Sequence, residues 1–122
     1  MNAALLGRVV VVAGEHPAFA ELVAALADAG AFVAFVSAEQ TVSSASASFR
    51  ADPADPSVWE RVAPHVEQRL GPVDVVLADS GCTTTVAPVF LPDLRRRGHG
   101  DVLTAPADAA MTELLTLVAG TR

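Results

Sequence analysis

The chain has 122 residues, of which 52% are hydrophobic and 18% charged, and this balance predicts a single folded domain over residues 1–122. Its formal net charge of −6 argues against general binding of nucleic acids or anionic membranes, because neutralising phosphates requires clustered cations. The single cysteine, Cys82, excludes an intramolecular disulfide, and no apolar run reaches membrane-spanning length, so we expect a cytoplasmic protein.

Short runs of apolar residues predict five β-strands. The first, residues 9–13, consists of four valines and an alanine bounded by Gly14, which is typical of a strand buried on both faces. Further strands are predicted at residues 31–36, 49–52, 73–78 and 101–105, while the small polar residues 41–48 predict a loop.

Four helices are predicted between and after these strands. The first starts near Pro17, and the second is capped by Asp55, with Pro64 predicting a kink or a late start. The third covers residues 87–97 and the last opens at Pro106. This alternation predicts an α/β fold, a three-layer Rossmann-like doubly wound parallel sheet of about five strands in the order 3-2-1-4-5.

The composition lacks several reactive residue types. The chain has no lysine, tyrosine or isoleucine, and Asn2 is its only asparagine. Because these four residues use AT-rich codons, we interpret their scarcity as a sign of a GC-rich bacterial genome. The same omissions exclude mechanisms that depend on a lysine amine or a tyrosine hydroxyl.

Five segments, taken in chain order, resemble one enzyme family. They are GRVVVVAGEHPAFAELVAALADAGAFVAFV, ADPADPSVWERV, RLGPVDVVLADSG, VFLPDLRRRGHGDVLTAPA and DAAMTELLTLVA, and they cover most of the chain. In this order they resemble the short-chain dehydrogenases/reductases. The resemblance implies a doubly wound fold, an NAD(P) cofactor, a catalytic serine, tyrosine and lysine, and subunits paired through the helices around the fourth and fifth strands.

The positions that would bind the family's cofactor are mostly altered. The TGxxxGxG loop of the family falls on AGEHPAFA, where only Gly14 matches and alanines replace the later glycines. A Cβ at those points intrudes where a pyrophosphate approaches the backbone. Ser37 stands where an acidic residue would hold the ribose, and Asp52 matches an adenine-contacting aspartate. Of the NNAG motif, only Gly81 is retained.

The family's catalytic residues are absent. Tyrosine and lysine occur nowhere in the chain, Asp108 stands where the lysine would lie, and Pro106 falls near the position of the serine. The resemblance therefore implies a truncated and degenerate member that keeps the fold without its redox chemistry. We expect no cofactor, although weak NAD(P) binding through the vestigial Gly14, Asp52 and Gly81 stays open.

Polar residues nevertheless gather where the parallel strands end. Ligands of open α/β sheets bind at this carboxyl edge, so we predict a ligand crevice formed by Glu15, His16, Ser37, Asp79, Ser80, Cys82 and Thr83. His16 and Asp79 are the best candidates for acid–base catalysis. No spacing matches a metal signature, so no metal is expected. Cys82 lacks a basic partner in the sequence, which favours a buried thiol over a nucleophile. His65 and His99 are interpreted as surface residues.

Two classes of function fit these observations. The first is a non-catalytic module for protein association or for binding a small molecule, either as a homodimer or in a complex with a full-length homologue. Its contact surface is predicted on the last two helices, from Val89, Phe90, Leu94, Met111, Leu114, Leu115 and Val118. The alternative is a small cofactor-independent enzyme of a secondary metabolic pathway, a lyase, isomerase or dehydratase, using the crevice around His16 and Asp79.

Overall fold

The computed structural model describes residues 5–121, in which strands and helices alternate along the chain. The strands are β1 (Val9–Ala13), β2 (Phe32–Ser37), β3 (Ala47–Arg50), β4 (Val75–Asp79) and β5 (Asp101–Ala105). The helices are α1 (Phe19–Asp28), α2 (Pro56–Leu70), α3 (Thr83–Arg97) and α4 (Met111–Ala119). Among these residues, no helix is long and apolar enough to cross a membrane.

The strands form one parallel sheet, whose order β3-β2-β1-β4-β5 confirms the prediction. Strand β1 lies at the centre, with Val10 opposite both Val33 of β2 and Val75 of β4. Neighbouring strands on both sides and helices over both faces bury all of β1, as expected for an inner strand of a parallel sheet. The loops that follow β1, β2 and β4 therefore meet at one edge.

Side chains of β1 alternate between two apolar layers. Val12 packs in the layer formed with α1 and α4, together with Leu114. Val11 packs in the opposite layer, formed with α2 and α3, where the rings of Trp59 and Phe90 meet edge to face with centroids 5.6 Å apart. The sheet is thus covered on both faces, which leaves its two ends for the loops.

Helix α2 begins where the sequence predicts and runs on through its internal proline. The Ser57 N–H donates to Asp55 Oδ1 at 2.9 Å, and Pro56 occupies the first helical position. The late start considered for Pro64 is wrong, because the Asp55 cap already fixes the beginning of the helix. Pro64 is exposed, so water can reach the carbonyl that its missing N–H leaves unpaired.

Helix α3 is longer than the sequence predicts, beginning at Thr83 rather than at residue 87. The Thr83 hydroxyl donates to the backbone carbonyl of Asp79 at 2.7 Å, so the turn after β4 leads directly into the helix. Pro88 and Pro92 both lie within the helix and are exposed. The predicted start at residue 87 is therefore four residues too late.

Other boundaries shift by a few residues. Strand β3 begins at Ala47 and β4 at Val75, because pairing with the neighbouring strand sets the limits of each. Helix α4 begins at Met111 rather than at Pro106. A turn comes first, in which the Ala109 N–H donates to the Pro106 carbonyl at 3.1 Å.

The apolar face predicted for subunit contact points mostly inward. Phe90, Leu94, Leu114 and Val118 are each at most 2% exposed and belong to the two core layers. The prediction was wrong for these four, because the helical spacing that suggests a contact face is also the spacing that covers a sheet. The remaining members of the set keep some exposure: Val89, Met111 and Leu115.

Candidate functional site

The turn after β1 is held tightly against the end of β4. Gly14 has a φ of +128°, a conformation that residues with a side chain rarely adopt, and its N–H donates to the Val36 carbonyl at 2.9 Å. A Cβ at this position would overlap the carboxylate of Asp79. Glycine is therefore required here by a neighbouring side chain as well as by the backbone angle.

The Asp79 carboxylate bridges two loops at the end of β4. Its Oδ2 accepts a hydrogen bond from the Glu15 N–H at 2.7 Å, and its Oδ1 accepts one from the Gly81 N–H at 3.0 Å. Hydrogen bonds from backbone N–H groups to a carboxylate are stronger than neutral ones. Asp79 thus fixes the first backbone N–H after Gly14 in the direction of β4.

The Glu15 carboxylate extends from the same turn to the end of β2. Its Oε2 accepts from the Ala38 N–H at 2.9 Å, and its Oε1 accepts from the Glu39 N–H at 3.2 Å and from the Ser37 hydroxyl. Ser37 is fully buried and also accepts from the Gln40 N–H at 3.0 Å. An acidic group does lie at the end of β2, but it is supplied by the loop after β1.

His16 is buried, with 5% of its surface exposed, and both ring nitrogens are engaged. The Ala18 N–H lies 3.0 Å from Nδ1, which must accept, and Nε2 lies 2.8 Å from the Pro106 carbonyl, to which it must donate. The ring also stacks on Phe19 with centroids 5.1 Å apart. The neutral imidazole with its proton on Nε2 therefore ties the turn after β1 to the loop after β5.

Cys82 is 1% exposed, and its Sγ donates to the Ala13 carbonyl at 3.4 Å. Burial, assisted by the nearby Asp79 carboxylate, raises the pKa of the Cys82 thiol to about 12. At neutral pH the side chain is a thiol rather than a nucleophilic thiolate. Cys82 therefore acts as a packing residue that is buried beneath the loops of the crevice.

Two small cavities open beside the Asp79 carboxylate. One, of about 210 Å³, is lined by Glu15, His16, Pro17, Asp79, Ser80, Gly81, Ala105 and Ala107. The other, of about 140 Å³, is lined by Glu15, Asp52, Pro53, Ala54, Asp79, Gly81 and Cys82. Both are smaller than the roughly 300–1,000 Å³ typical of ligand pockets. A wider cavity of about 500 Å³ lies along α4.

The crevice brings together most of the residues singled out in the sequence. Asp52 is exposed at its rim and accepts from the Ala54 N–H at 2.9 Å, while Ser80 is exposed in the loop after β4. Thr83 lies to one side, with its hydroxyl 3.1 Å from that of Thr104 on β5. Within residues 5–121, no three histidine, cysteine, aspartate or glutamate side chains are grouped so as to hold a metal ion.

Sequence reasoning missed the partners of these side chains. Besides the Ser37 hydroxyl, Glu15 binds the backbone N–H groups of Ala38 and Glu39, and His16 binds the backbone carbonyl of Pro106. Backbone partners leave no trace in residue types, so only the three-dimensional arrangement reveals them.

The sheet order and the flanking helices define a class of fold, the Rossmann-like α/β fold. Among solved structures, the chain is similar to two double variants of a Serratia marcescens short-chain dehydrogenase/reductase, each at 17% identity and a TM-score of 0.62. The matches cover 95% of this chain and 68% and 66% of those chains. The chain thus spans about two thirds of their length, and at this identity the likeness establishes the fold.

A third variant of the same Serratia protein matches at 16% identity and a TM-score of 0.61, covering 95% of this chain and 64% of that one. No protein-family model matches the chain, and no curated protein does either.

Proposed function

We propose that this chain is a degenerate short-chain dehydrogenase/reductase-like scaffold that carries out no NAD(P)-dependent redox chemistry and serves in protein association or ligand binding. The observation that carries the proposal is the Asp79 carboxylate, which accepts the Glu15 N–H and lies against Gly14. In folds of this type, a dinucleotide pyrophosphate approaches the glycine turn after the first strand. Here the Asp79 carboxylate lies so close to Gly14 that it would overlap a Cβ at that position, and we infer that it stands in the way of a pyrophosphate.

Three N–H groups of the turn have partners within the protein. Gly14 donates to Val36, Glu15 donates to Asp79, and Ala18 donates to His16, while Pro17 has no N–H to offer. A phosphate would have to displace a bond to reach any of these three donors. A phosphate that bound to these groups would therefore gain less binding free energy than at a loop whose N–H groups have no partners.

Charge opposes an anionic ligand at the same place. Glu15, Asp52 and Asp79 all line one cavity beside the turn. Their repulsion adds to the loss of donors, since like charges at short range in a partly buried site cost free energy. The absence of tyrosine and lysine from the chain supports the same conclusion for the chemistry.

Calorimetric titration with NAD⁺ and NADP⁺ tests this proposal. We expect no heat of binding at cofactor concentrations up to the millimolar range. Micromolar binding that is lost when Gly14 is replaced by valine, and kept when Ser80 is replaced by alanine, would overturn it. The Ser80 variant is a suitable control because its side chain lies on the exposed loop beside the same cavity.

For the association role, we propose a homodimer or a complex with a homologue of the same fold. Strand β5 is an edge strand of the described sheet, and its Val102 and Leu103 are only half-buried. Val89 on α3 and Leu117 on α4, the two helices beside β5, are 36% and 41% exposed. Apolar groups at a free sheet edge favour pairing with another chain.

Light scattering on the purified protein at micromolar concentration measures the association directly. A dimer that dissociates in Val89→Asp or Leu117→Asp, but not in the exposed control Thr112→Asp, is the expected result. If the protein is a monomer at all concentrations, the homodimer proposal is rejected. The proposed complex with a homologue would then be tested by co-purification of the two chains.

The alternative of a cofactor-independent enzyme rests on the cavity of about 210 Å³ beside His16 and Asp79. For His16 to act as a base or acid, it would have to leave the Pro106 carbonyl or the Ala18 N–H. The scaffold is therefore the function that this site supports better.

A further inference from the structure

A second cavity with a different character lies between the edge strand β3 and helix α2. It has a volume of about 400 Å³ and is lined by Ser48, Phe49, Arg50, Ala51, Arg61, Val62 and His65. We call it the β3–α2 groove. Its volume falls in the range of roughly 300–1,000 Å³ that holds small molecules, unlike the two cavities of the crevice.

Arginine side chains gather at this groove in a chain whose net charge is −6. Arg61, His65 and Arg69 follow one another at every fourth position of α2, so they lie on one face of the helix. Arg50 comes from the end of β3, where its Nε donates to the Ala38 carbonyl at 3.2 Å. Arg50 and Arg61 thus line the groove, and Arg69 lies beyond its end on the same face of α2.

These arginines are not neutralised by direct ion pairs. Within residues 5–121, the ion pairs at 4.0 Å or less are made by Arg96, Arg97 and His99, at the far end of α3. Hydrogen bonds from the Ser57 hydroxyl and N–H lower the pKa of Asp55, and Arg61 contributes further to this lowering, but Arg61 forms no direct ion pair with that carboxylate among the described residues. The guanidinium groups at the groove are therefore available to another anion.

The floor of the groove is apolar, and a hydrogen bond fixes which nitrogen of the His65 ring carries the proton. Phe49 packs edge to face on the His65 ring with centroids 5.5 Å apart, and Val62 lies beneath. Arg69 can only donate, so the His65 Nε2 atom, 3.3 Å from it, accepts and leaves Nδ1 as the donor. An aromatic floor with arginines at the rim favours a ligand that has a flat apolar body and one anionic group.

We propose that the β3–α2 groove is a binding site for a small aromatic anion, an aryl phosphate or aryl carboxylate, whose ring lies on Phe49 and whose charge is held by Arg50 and Arg61. This site lies apart from the crevice at Gly14 and Asp79, and it does not depend on whether that crevice admits a dinucleotide. It assigns the ligand-binding role to a different surface of the molecule.

The probe is phenyl phosphate, titrated into ¹⁵N-labelled protein and followed by amide chemical shifts. We expect saturable shifts confined to residues 48–51 and 61–69, with weaker binding of benzoate and none of phenol. Arg61→Gln and Arg50→Gln should each weaken the affinity about tenfold, as expected for loss of one charged hydrogen bond. Arg95→Gln, which removes the same charge from an exposed position on α3, should bind like the unaltered chain.

Three results would overturn the proposal. They are an absence of saturable shifts, an equal loss of affinity in Arg95→Gln, and shifts centred on residues 14–16 and 79–81. Circular dichroism of each variant establishes that it is folded, which the exposure of Arg50 and Arg61 favours. A dinucleotide that bound through its phosphates at the groove would lose affinity in Arg61→Gln and not in Gly14→Val, which separates this site from the crevice.

Discussion

The Oδ2 atom of Asp79 lies 2.7 Å from the backbone nitrogen of Glu15, so one carboxylate joins the loops that follow the two central strands. In the crevice of an open α/β sheet, those two loops usually stand apart to receive a ligand. Here they are bonded to each other, and the space left between them is small. The stability of the fold and the closure of its crevice therefore depend on the same contact.

Replacing Gly14 with alanine should destabilise the protein through both the backbone and Asp79. A residue with a side chain at φ +128° costs about 1–3 kcal/mol in strain, and the new Cβ overlaps the carboxylate. Asp79→Ala alone should cost about 1–3 kcal/mol, because it leaves the Glu15 N–H without its partner. Urea denaturation of each variant measures both losses.

The double variant Gly14→Ala/Asp79→Ala tests whether the two effects share one cause. We expect it to be more stable than the sum of the single losses predicts, by about 1–2 kcal/mol, because the overlap disappears with the carboxylate. Strict additivity would contradict the contact between Gly14 and Asp79.

The Ser37 hydroxyl should contribute more to the free energy of unfolding than an exposed hydroxyl in the same region. Ser37 is fully buried, donates to Glu15 and accepts from the Gln40 N–H, so Ser37→Ala should lower the free energy of unfolding by about 1–3 kcal/mol. Ser80→Ala, at an exposed position, should change it by less than about 0.5 kcal/mol. Equal effects in chemical denaturation would argue against the Glu15–Ser37 contact.

Stability should fall in alkaline solution because of Cys82. The pKa of its thiol is raised to about 12 in the folded protein from an ordinary value of 9.0, so the unfolded chain loses this proton first as the pH rises. Between about pH 9 and pH 12 the free energy of unfolding should then decrease, by at most about 1.4 kcal/mol per pH unit. Below pH 9 both states keep the proton and this dependence vanishes.

The composition makes that measurement unusually clean. The chain has neither lysine nor tyrosine, so Cys82 is the only side chain that titrates in this range. Denaturation midpoints of Cys82→Ala should show no such decline, whatever the absolute cost of the replacement. An unchanged alkaline slope in this variant would show that the thiol is not responsible.

His16 should prove to be a structural residue. Its ring holds the Pro106 carbonyl and the Ala18 N–H while stacking on Phe19, so His16→Ala should cost about 2–4 kcal/mol in thermal or urea unfolding. The exposed His65 offers a matched control, with an expected change in His65→Ala of less than about 0.5 kcal/mol. Full stability of His16→Ala would return this histidine to the list of free catalytic candidates.

The sequence was informative about the sheet because its strands carry a strong signal. Runs such as Val9–Ala13, bounded by glycine, predict inner parallel strands, and their alternation with helices leaves few topologies. The start of α3 was missed for a physical reason. Residues 83–85 are three threonines, which are poor helix formers, and the helix nevertheless begins there because the N–H groups of Thr85 and Val86 both donate to the Cys82 carbonyl at 3.0 Å.

The sequence indicated which polar residues gather at the edge of the sheet, but not which groups they bind. Glu15, His16 and Asp79 do meet at one edge, because the ends of parallel strands must. Most of their hydrogen bonds are made with backbone groups of distant segments, and such partners cannot be inferred from residue types. The apolar spacing on the last two helices identified one face of each helix but not whether that face packs on the sheet or contacts another subunit. Phe90 and Leu114 were therefore predicted at the surface, although they lie in the core.

The contact of Asp79 with Gly14 has a consequence for which substitutions this turn can accept. Inserting glycines into the turn would leave the carboxylate in place, and removing the carboxylate first would leave the Glu15 N–H unpaired. A single substitution aimed at opening this turn therefore either leaves the carboxylate in place or lowers the stability of the fold. Two coupled positions must change together here, whereas the exposed residues at the rim of the β3–α2 groove can each be changed alone.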